Sequence, residues 1–411
     1  MSMIFRRKRI RRSINIVRHE GVAGFLLKFV RKSETMLQKR AKVKKTTIRF
    51  LAKYSDVLEA QWVTHPYVAH KVHKKPPYTI NWVMSPPRNG GGHQNIFRFI
   101  KYLEDRGHTC RVYLYSTSDF ATVGELRKGM EKSYPKTKAS IEWLKNKMKP
   151  ADIVFATGWE TAYPVFNDKG DAKKFYFVQD FEPYFYPLGS EYILAENTYR
   201  FKFHGITAGK WLQHKLSTNY GMTCDSYDFG AEKSLYEYTN TVQRKEIFFY
   251  ARPVTARRGF ELGIMALEIF NKRHPEYTIN LAGWDVSNYK IPFPYKNYKT
   301  LGLNELSELY NRCSAALVIS LTNMSLLPLE LLACGTIPIV SEGDNNREVS
   351  NNPFIQYAFP SPDSLAASLS ETVERKDLLD HAQNGARSVE SSTWKEAGSR
   401  VEKILTEQMN V

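Results

Sequence analysis

The feature that most constrains this chain is an alternation that begins at Thr79, in which apolar runs, glycine-bearing turns and helix-period segments follow one another in fixed order. TINWVMS (79–85) is apolar enough to be buried on both faces; PPRNGGG makes a loop; HQNIFRFIKYLEDR places Ile96, Ile100 and Leu103 on one face before Gly107 stops it; TCRVYLYS is the next strand. Parallel strands need such a crossover helix, so this is a βαβ unit with its glycines at the strand-to-helix turn. ADIVFAT (151–157) and KFYFVQD (174–180) read as further buried strands, and YRFKFHGITAGKWLQHKLSTNYG as a strand followed by a helix. A polar stretch, TNTVQRKE, reads as a linker. A second series follows: EIFFYAR (246–252), a helix from about Phe260 to Lys272, YTINLAGW, the helix NELSELYNRC, AALVISL, the helix LPLELLA, TIPIVSE and a polar helical tail.

The expected fold class is therefore α/β, two Rossmann-like doubly wound domains facing a central cleft, preceded by a basic helical extension. The expected boundaries are 1–77 for the extension, 78–240 and 241–392 for the two domains, and 393–411 for a C-terminal helix returning to the first domain. A length of 411 residues accommodates this, at about 150 residues per domain.

The net charge of +17 suggests a nucleic-acid binder until it is located. Residues 1–75 hold 20 Lys+Arg against 4 Asp+Glu, which leaves 39 against 38 for the rest. The extension opens RRKRIRR and continues with Ile14, Val17, Phe25, Leu26, Phe29 and Val30 among cations. An interfacial helix on an anionic membrane, a solvated basic helix packed on the body and an RNA-binding arm all fit. Peripheral membrane contact is carried as the expectation, with no nucleic-acid partner and a homodimer left open. The longest charge-free apolar stretch near the start, Gly21 to Leu27, is far short of the roughly 20 residues that span a bilayer, and no signal-peptide pattern is present, so a cytoplasmic chain is expected. Cys110, Cys224, Cys313 and Cys334 are scattered, which signals neither a zinc site nor a disulfide framework.

Three places carry chemistry. Gly90, Gly91 and Gly92 lie at a strand-to-helix turn, where N–H groups without Cβ obstruction can approach an anionic or hydroxyl-rich ligand; the pattern is neither GxGxxG nor a P-loop. Arg252 ends a strand and Arg258 precedes Gly259 and the next helix, and guanidinium forks match phosphate oxygens. Glu330 stands in the first turn of a helix, suited to accept a ribose hydroxyl.

PLELLACGTIPIV resembles the donor-site signature of retaining GT-B glycosyltransferases, in particular the large family four with its EGFGLPLLEAMACGTPVV. YARPVTARRG, SPPRNGGGHQNIFRFIKYLEDRGHTCRV and LGLNELSELYNRCSAALVIS resemble other segments of that family, so the likeness covers about residues 78–405. It implies that Glu330 grips the donor ribose and that Arg252 and Arg258 hold the diphosphate. Where the family has the first glutamate of its E-x7-E pair, this chain has Thr322, which leaves the backbone N–H groups of Met324, Ser325 and Leu326 to face the donor. The histidine that often follows the ADVV-type strand is missing from ADIVFATGWETAYPV, and its task passes to Trp159, Glu160 or Thr161 or is not needed.

ATGWETAYPV, FVQDFEPYFYPLGSEY and ITAGKWLQHKLSTNYG look like a narrower group, the bacterial rhamnosyltransferases that build polyrhamnose, S-layer glycan assembly included. That resemblance implies dTDP-β-L-rhamnose as donor, a lipid-carrier-linked rhamnan as acceptor, and retention of configuration. Trp159, Phe181, Tyr184, Phe185 and Tyr186 are candidates to stack on sugar rings, and Asp180, Glu182 and Glu160 to hold hydroxyls. Phe177 and Val178 read as core. Asp180 and Glu160 are the two candidates for a catalytic base. No cofactor and no metal are expected, because no D-x-D occurs and arginines replace a metal clamp. The alternatives are another nucleotide-sugar transferase, epimerase or hydrolase of the same fold, and a membrane- or RNA-binding scaffold with an inactive body.

Overall fold

The computed structural model describes residues 48–69, 73–87, 91–117, 122–145, 147–240 and 242–410. The basic segment through residue 47 and Gly90 of the glycine loop lie outside the described residues. Residues Phe50–Val411 form one compact unit.

The first sheet is built from β1 (Thr79–Met84), β2 (Thr109–Leu114), β3 (Ser140–Trp143), β4 (Ile153–Ala156), β5 (Lys173–Val178), β6 (His204–Ala208) and β7 (Cys224–Tyr227). All are parallel, in the order β3-β2-β1-β4-β5-β6-β7. The second sheet holds β8 (Glu246–Tyr250), β9 (Thr278–Ala282), β10 (Lys296–Lys299), β11 (Ala315–Val318), β12 (Ile337–Ser341) and β13 (Gln356–Ala358). It too is parallel, in the order β10-β9-β8-β11-β12-β13. Two doubly wound α/β layers are thus present, as the alternation of apolar runs implied.

Helices on both faces bury the sheets, and the central strands β4, β5, β6, β11 and β12 are buried along their whole length. Phe177 and Val178 are fully enclosed, as read from the sequence. Trp82 stacks on Phe155 with centroids 4.1 Å apart, and Phe99 and Tyr227 close the layer edge to face at 4.8 Å.

Three segments outside the sheets are fixed by side-chain contacts. From Phe50 onward the arm ahead of β1 is packed on the first layer: Trp62 meets Phe201, Tyr67 meets Phe203, and the Tyr115 hydroxyl donates to Asp56 at 2.6 Å. The stretch expected to be a plain linker is tied to the second domain by Arg244, which is buried and donates to the carbonyls of Asn311 and Gly335. The last helix, Trp394–Met409, lies against the helix Gly91–Asp105; Glu402 accepts from Arg106, and Arg400 from this helix donates to Asp225.

Candidate functional site

A doubly wound sheet opens at the point where the chain reverses its winding direction, between β1 and β4 in the first sheet and between β8 and β11 in the second. The segments that leave these strands carry most of the residues singled out above.

On the second domain they are basic. Arg252 follows β8 and donates Nη1 to the Tyr250 hydroxyl at 3.2 Å, while its buried Nε has no hydrogen-bond partner among the described residues. A short 3-10 turn, Ala256–Arg258, then ends on Gly259 at φ 53°, where a Cβ would stand 2.6 Å from Cγ2 of Ile319. Only glycine fits that left-handed, crowded position, and it fixes the direction in which Arg258 leaves the chain. Nη1 of Arg258 donates to Oγ of Ser320 at 2.9 Å, and Ser320 donates to the carbonyl of Asn323. Burial pulls the Arg258 guanidinium below its ordinary pKa and the Asp180 charge pulls it back up. Arg257, which the sequence reading passed over, places Nε 3.5 Å from Oδ2 of Asp180 and lays its guanidinium over Phe185 at 4.0 Å. It stands beside Arg258 in plain sight, so the doubled arginine before a glycine was the signal available.

On the first domain the residues are acidic. Asp180 follows β5, and its carboxylate accepts from the N–H of Phe181 at 2.8 Å, the N–H of Asn323 at 2.9 Å and the hydroxyl of Thr322 at 3.0 Å. Asn323 in turn donates its amide to the carbonyls of Gln179 and Ala208. Asp180 is thus a joint between the domains, and its oxygens are already engaged. This corrects the expectation of a free base or a hydroxyl-binding group. Thr322 takes its place in the same joint: it is buried and faces Asp180, and Asn345 donates to its carbonyl.

Glu182 and Glu160 form an enclosed acidic pair. Glu182 accepts from the Trp159 N–H at 2.6 Å and from the Tyr176 hydroxyl at 3.4 Å. Burial raises its pKa well above the carboxylate range, and the neighbouring Glu160 raises it further. Burial also raises Glu160, whose own N–H and the Ser85 hydroxyl lower it.

Three expected sugar contacts are buried in the fold instead. Thr161 is fully buried, accepts from the N–H groups of Thr157 and Gly158 and donates to the carbonyl of Gly158, so its hydroxyl caps its own helix. Trp159 is enclosed, with Nε1 donating to the Tyr186 hydroxyl at 2.9 Å, and Phe181 is enclosed against Tyr199 and Tyr220. Tyr184 and Phe185 keep exposed surface, 46% and 37%, although Lys215 lies over one ring and Arg257 over the other. The tertiary setting decides this, since nothing in the local pattern separates Phe181 from Phe185.

Glu330 opens the helix Leu327–Ala333. Burial raises its pKa to about 7, and Arg98 of the first domain and the Tyr236 hydroxyl stand beside it and hold that rise in check. Arg98 itself lies over the Trp394 ring at 4.5 Å. Arg98 and Tyr236 were missed from sequence, because both reach Glu330 from segments far away in the chain. Of the three backbone groups expected to face a donor, the Met324 N–H is taken by the carbonyl of Asn345 at 3.1 Å; Ser325 and Leu326 are half-buried ahead of the helix. In the glycine loop the Gly92 carbonyl accepts from Gln179 at 3.0 Å, and Gly91 has open space around its Cα. No group of His, Cys, Asp and Glu that could hold a metal occurs among the described residues.

Comparison with known proteins follows the same division into halves. The family model described as WsaF, N-terminal domain, matches residues 141–208, and that described as WsaF, C-terminal domain, matches residues 245–370. The O-antigen biosynthesis protein RfbC of Myxococcus xanthus is 28% identical over 327 residues; the match takes in 76% of this chain and only 26% of that protein's length. Among solved structures, HepE of Anabaena with UDP and glucose matches with a TM-score of 0.64 at 12% identity, covering 80% of this chain and 100% of that one. TarM, known from S. aureus, matches with a TM-score of 0.66 at 9% identity over 82% of this chain and 99% of its own. WaaG, a glycosyltransferase involved in lipopolysaccharide biosynthesis, matches with a TM-score of 0.55 at 14% identity over 80% of this chain and 99% of its own. The fold is the GT-B fold.

Proposed function

We propose that this chain is a glycosyltransferase of cell-surface polysaccharide assembly, and that it transfers L-rhamnose from dTDP-β-L-rhamnose to a hydroxyl of a growing, lipid-carrier-linked rhamnan with retention of configuration. The observation that carries the reading is the arginine group at the end of β8: Arg252 and Arg258 are embedded cations whose nearest hydrogen-bond partners are neutral hydroxyls. Neither guanidinium donates a hydrogen bond to a carboxylate among the described residues, and a nucleoside diphosphate is an anion of matching geometry. The two WsaF matches, the O-antigen relative and the nucleotide-sugar ligands of HepE support the same class.

In this reading Arg252 and Arg258 stabilise the charge that develops on the departing diphosphate, the term that usually dominates catalysis of this type. The guanidinium groups supply that charge, so the reaction runs without a metal. Glu330, ionised above about pH 7, accepts from the donor ribose. Because Asp180 is committed to the interdomain joint, the acceptor hydroxyl gives its proton to the leaving diphosphate on the same face, as its oxygen forms the new glycosidic bond. Glu160 and Glu182, both raised by burial, shape the acceptor side without acting as nucleophile.

The test is release of nucleoside diphosphate from a panel of nucleotide sugars in EDTA, with and without a short rhamnoside. Release from dTDP-rhamnose that depends on the rhamnoside is the expected result, and the anomeric coupling of the product by NMR reports retention. Silence with dTDP-rhamnose while UDP-glucose is consumed would reject the donor assignment.

A further inference from the structure

The arm Phe50–Val68 has two apolar faces. Its inner face, with Ala52, Ala60, Trp62 and Tyr67, packs on the first domain. Its outer face presents Leu51, Tyr54, Leu58, Val63 and Val68 at 51–75% exposure. Tyr54 and Leu58 stand four apart in the helix Tyr54–Glu59 and so share one side, and Leu51 is exposed in the bend ahead of it. A row of large apolar side chains on an arm already anchored by its other face marks an interaction surface.

The same arm forms one wall of a groove of about 410 Å³ lined by Trp62, Val63, Pro66, Arg200, Lys202 and Tyr220. Val63 belongs to both the outer row and the groove, so apolar surface and cations meet there. Arg200 is partly compensated by Glu196 at 3.5 Å and lies over the Tyr220 ring. Lys202, held at φ 64°, has no ion-pair partner among the described residues. Ahead of the arm in sequence, residues 1–49 contain 16 Lys+Arg and 2 Asp+Glu. Apolar side chains beside Lys202 and a half-compensated Arg200, on an arm that continues a strongly basic segment, match the chemistry of an anionic bilayer surface: acyl-chain boundary for the former, lipid phosphate for the latter.

We propose that the outer face of Phe50–Val68, together with Arg200 and Lys202, seats this protein on an anionic lipid surface. The apolar row enters the headgroup boundary and the groove cations pair with lipid phosphates. The proposal stands apart from the transferase reading, because binding is measured without turnover.

The experiment is flotation of the full chain with vesicles of phosphatidylcholine containing phosphatidylglycerol, compared with phosphatidylcholine alone. Binding to the mixed vesicles is expected, with loss of at least about fivefold in the L51S/L58S/V63S variant, which leaves every charge in place. Lys202→Glu tests the groove and is expected to lower binding about threefold, an effect that high salt erases. The substituted side chains are exposed, and unchanged circular dichroism checks the fold. Equal flotation of the triple-serine variant would overturn the proposal, because the basic segment alone would then suffice. Equal binding to neutral vesicles, or displacement of the chain from mixed vesicles by single-stranded RNA at equal phosphate, would overturn it as well.

Discussion

The two strand edges that carry the candidate site have opposite chemistry. The edge of the second sheet presents Arg252, Arg257 and Arg258 within seven residues, and the edge of the first presents Asp180, Glu182 and Glu160. Their states differ as much as their signs. Asp180 has its oxygens engaged across the domains, and Glu160 and Glu182 are enclosed with raised pKa values. Arg252 and Arg258 have hydroxyl partners, and among the described residues only Arg257 of the three meets a carboxylate within 4 Å. The acidic edge is therefore bound up in the fold, and on the basic edge Arg252 and Arg258 donate to hydroxyls alone among the described residues.

The largest effect that would break this contrast is at Arg258. Arg258→Ala should lower kcat by roughly 10²–10³-fold, the size associated with removing one preorganised group facing transition-state charge. Arg258→Lys should recover part of it, and circular dichroism should stay unchanged in both. Normal turnover by Arg258→Ala would remove the basic edge from the chemistry. Asp180→Ala comes next: it strands Thr322, Asn323 and Arg257 at once, and should cost about 3 kcal/mol of stability, read as a lower denaturant midpoint. If instead Asp180→Ala kept its stability and abolished turnover, the residue would be a base after all.

Glu330 gives a test by pH. Its carboxyl sits against Arg98 and Tyr236 with a pKa raised to about 7. A raised carboxyl binds more protons folded than unfolded, so its contribution is fully present below about pH 4.5 and is lost as pH rises through about 7. Glu330→Gln should therefore be more stable than the parent at pH 8, by about 2 kcal/mol, and no more stable at pH 4. The donor KM of the parent should fall as pH rises through 7, while that of Glu330→Gln should be high and flat. A parallel pH profile in the two proteins would release Glu330 from the ribose role. The smallest expected change is Thr322→Ala, which removes one of three hydrogen bonds to Asp180 and should cost about 1 kcal/mol, measured by thermal unfolding. Thr322→Glu should be worse than alanine, because it sets a second carboxylate against Asp180.

Much of this arrangement was legible before the structure. The buried runs around Trp82, Phe155, Phe177, Phe248 and Leu317 announced their strands, since strands covered on both faces are apolar throughout. Edge strands such as Ser140–Trp143 and Lys296–Lys299 carry polar residues on half-exposed positions and gave no such signal. The position of Arg252, Arg258 and Glu330 at strand ends and at a helix start followed from local pattern. The roles of Asp180 and Thr161 did not, because Asp180 meets a residue 142 positions away and Thr161 turns back on its own helix. Local sequence states which elements form; it does not state which carboxylate will find a partner across a cleft.

The claim at the centre of this account is that the basic edge holds a diphosphate. Calorimetric titration of dTDP and of thymidine, in EDTA, into the parent and the R252A/R258A variant tests it most directly. The account predicts that the parent binds dTDP at least about a hundredfold more tightly than thymidine and that the variant loses most of that difference while keeping its affinity for thymidine. Equal preference for dTDP in the two proteins would place the diphosphate elsewhere and contradict it.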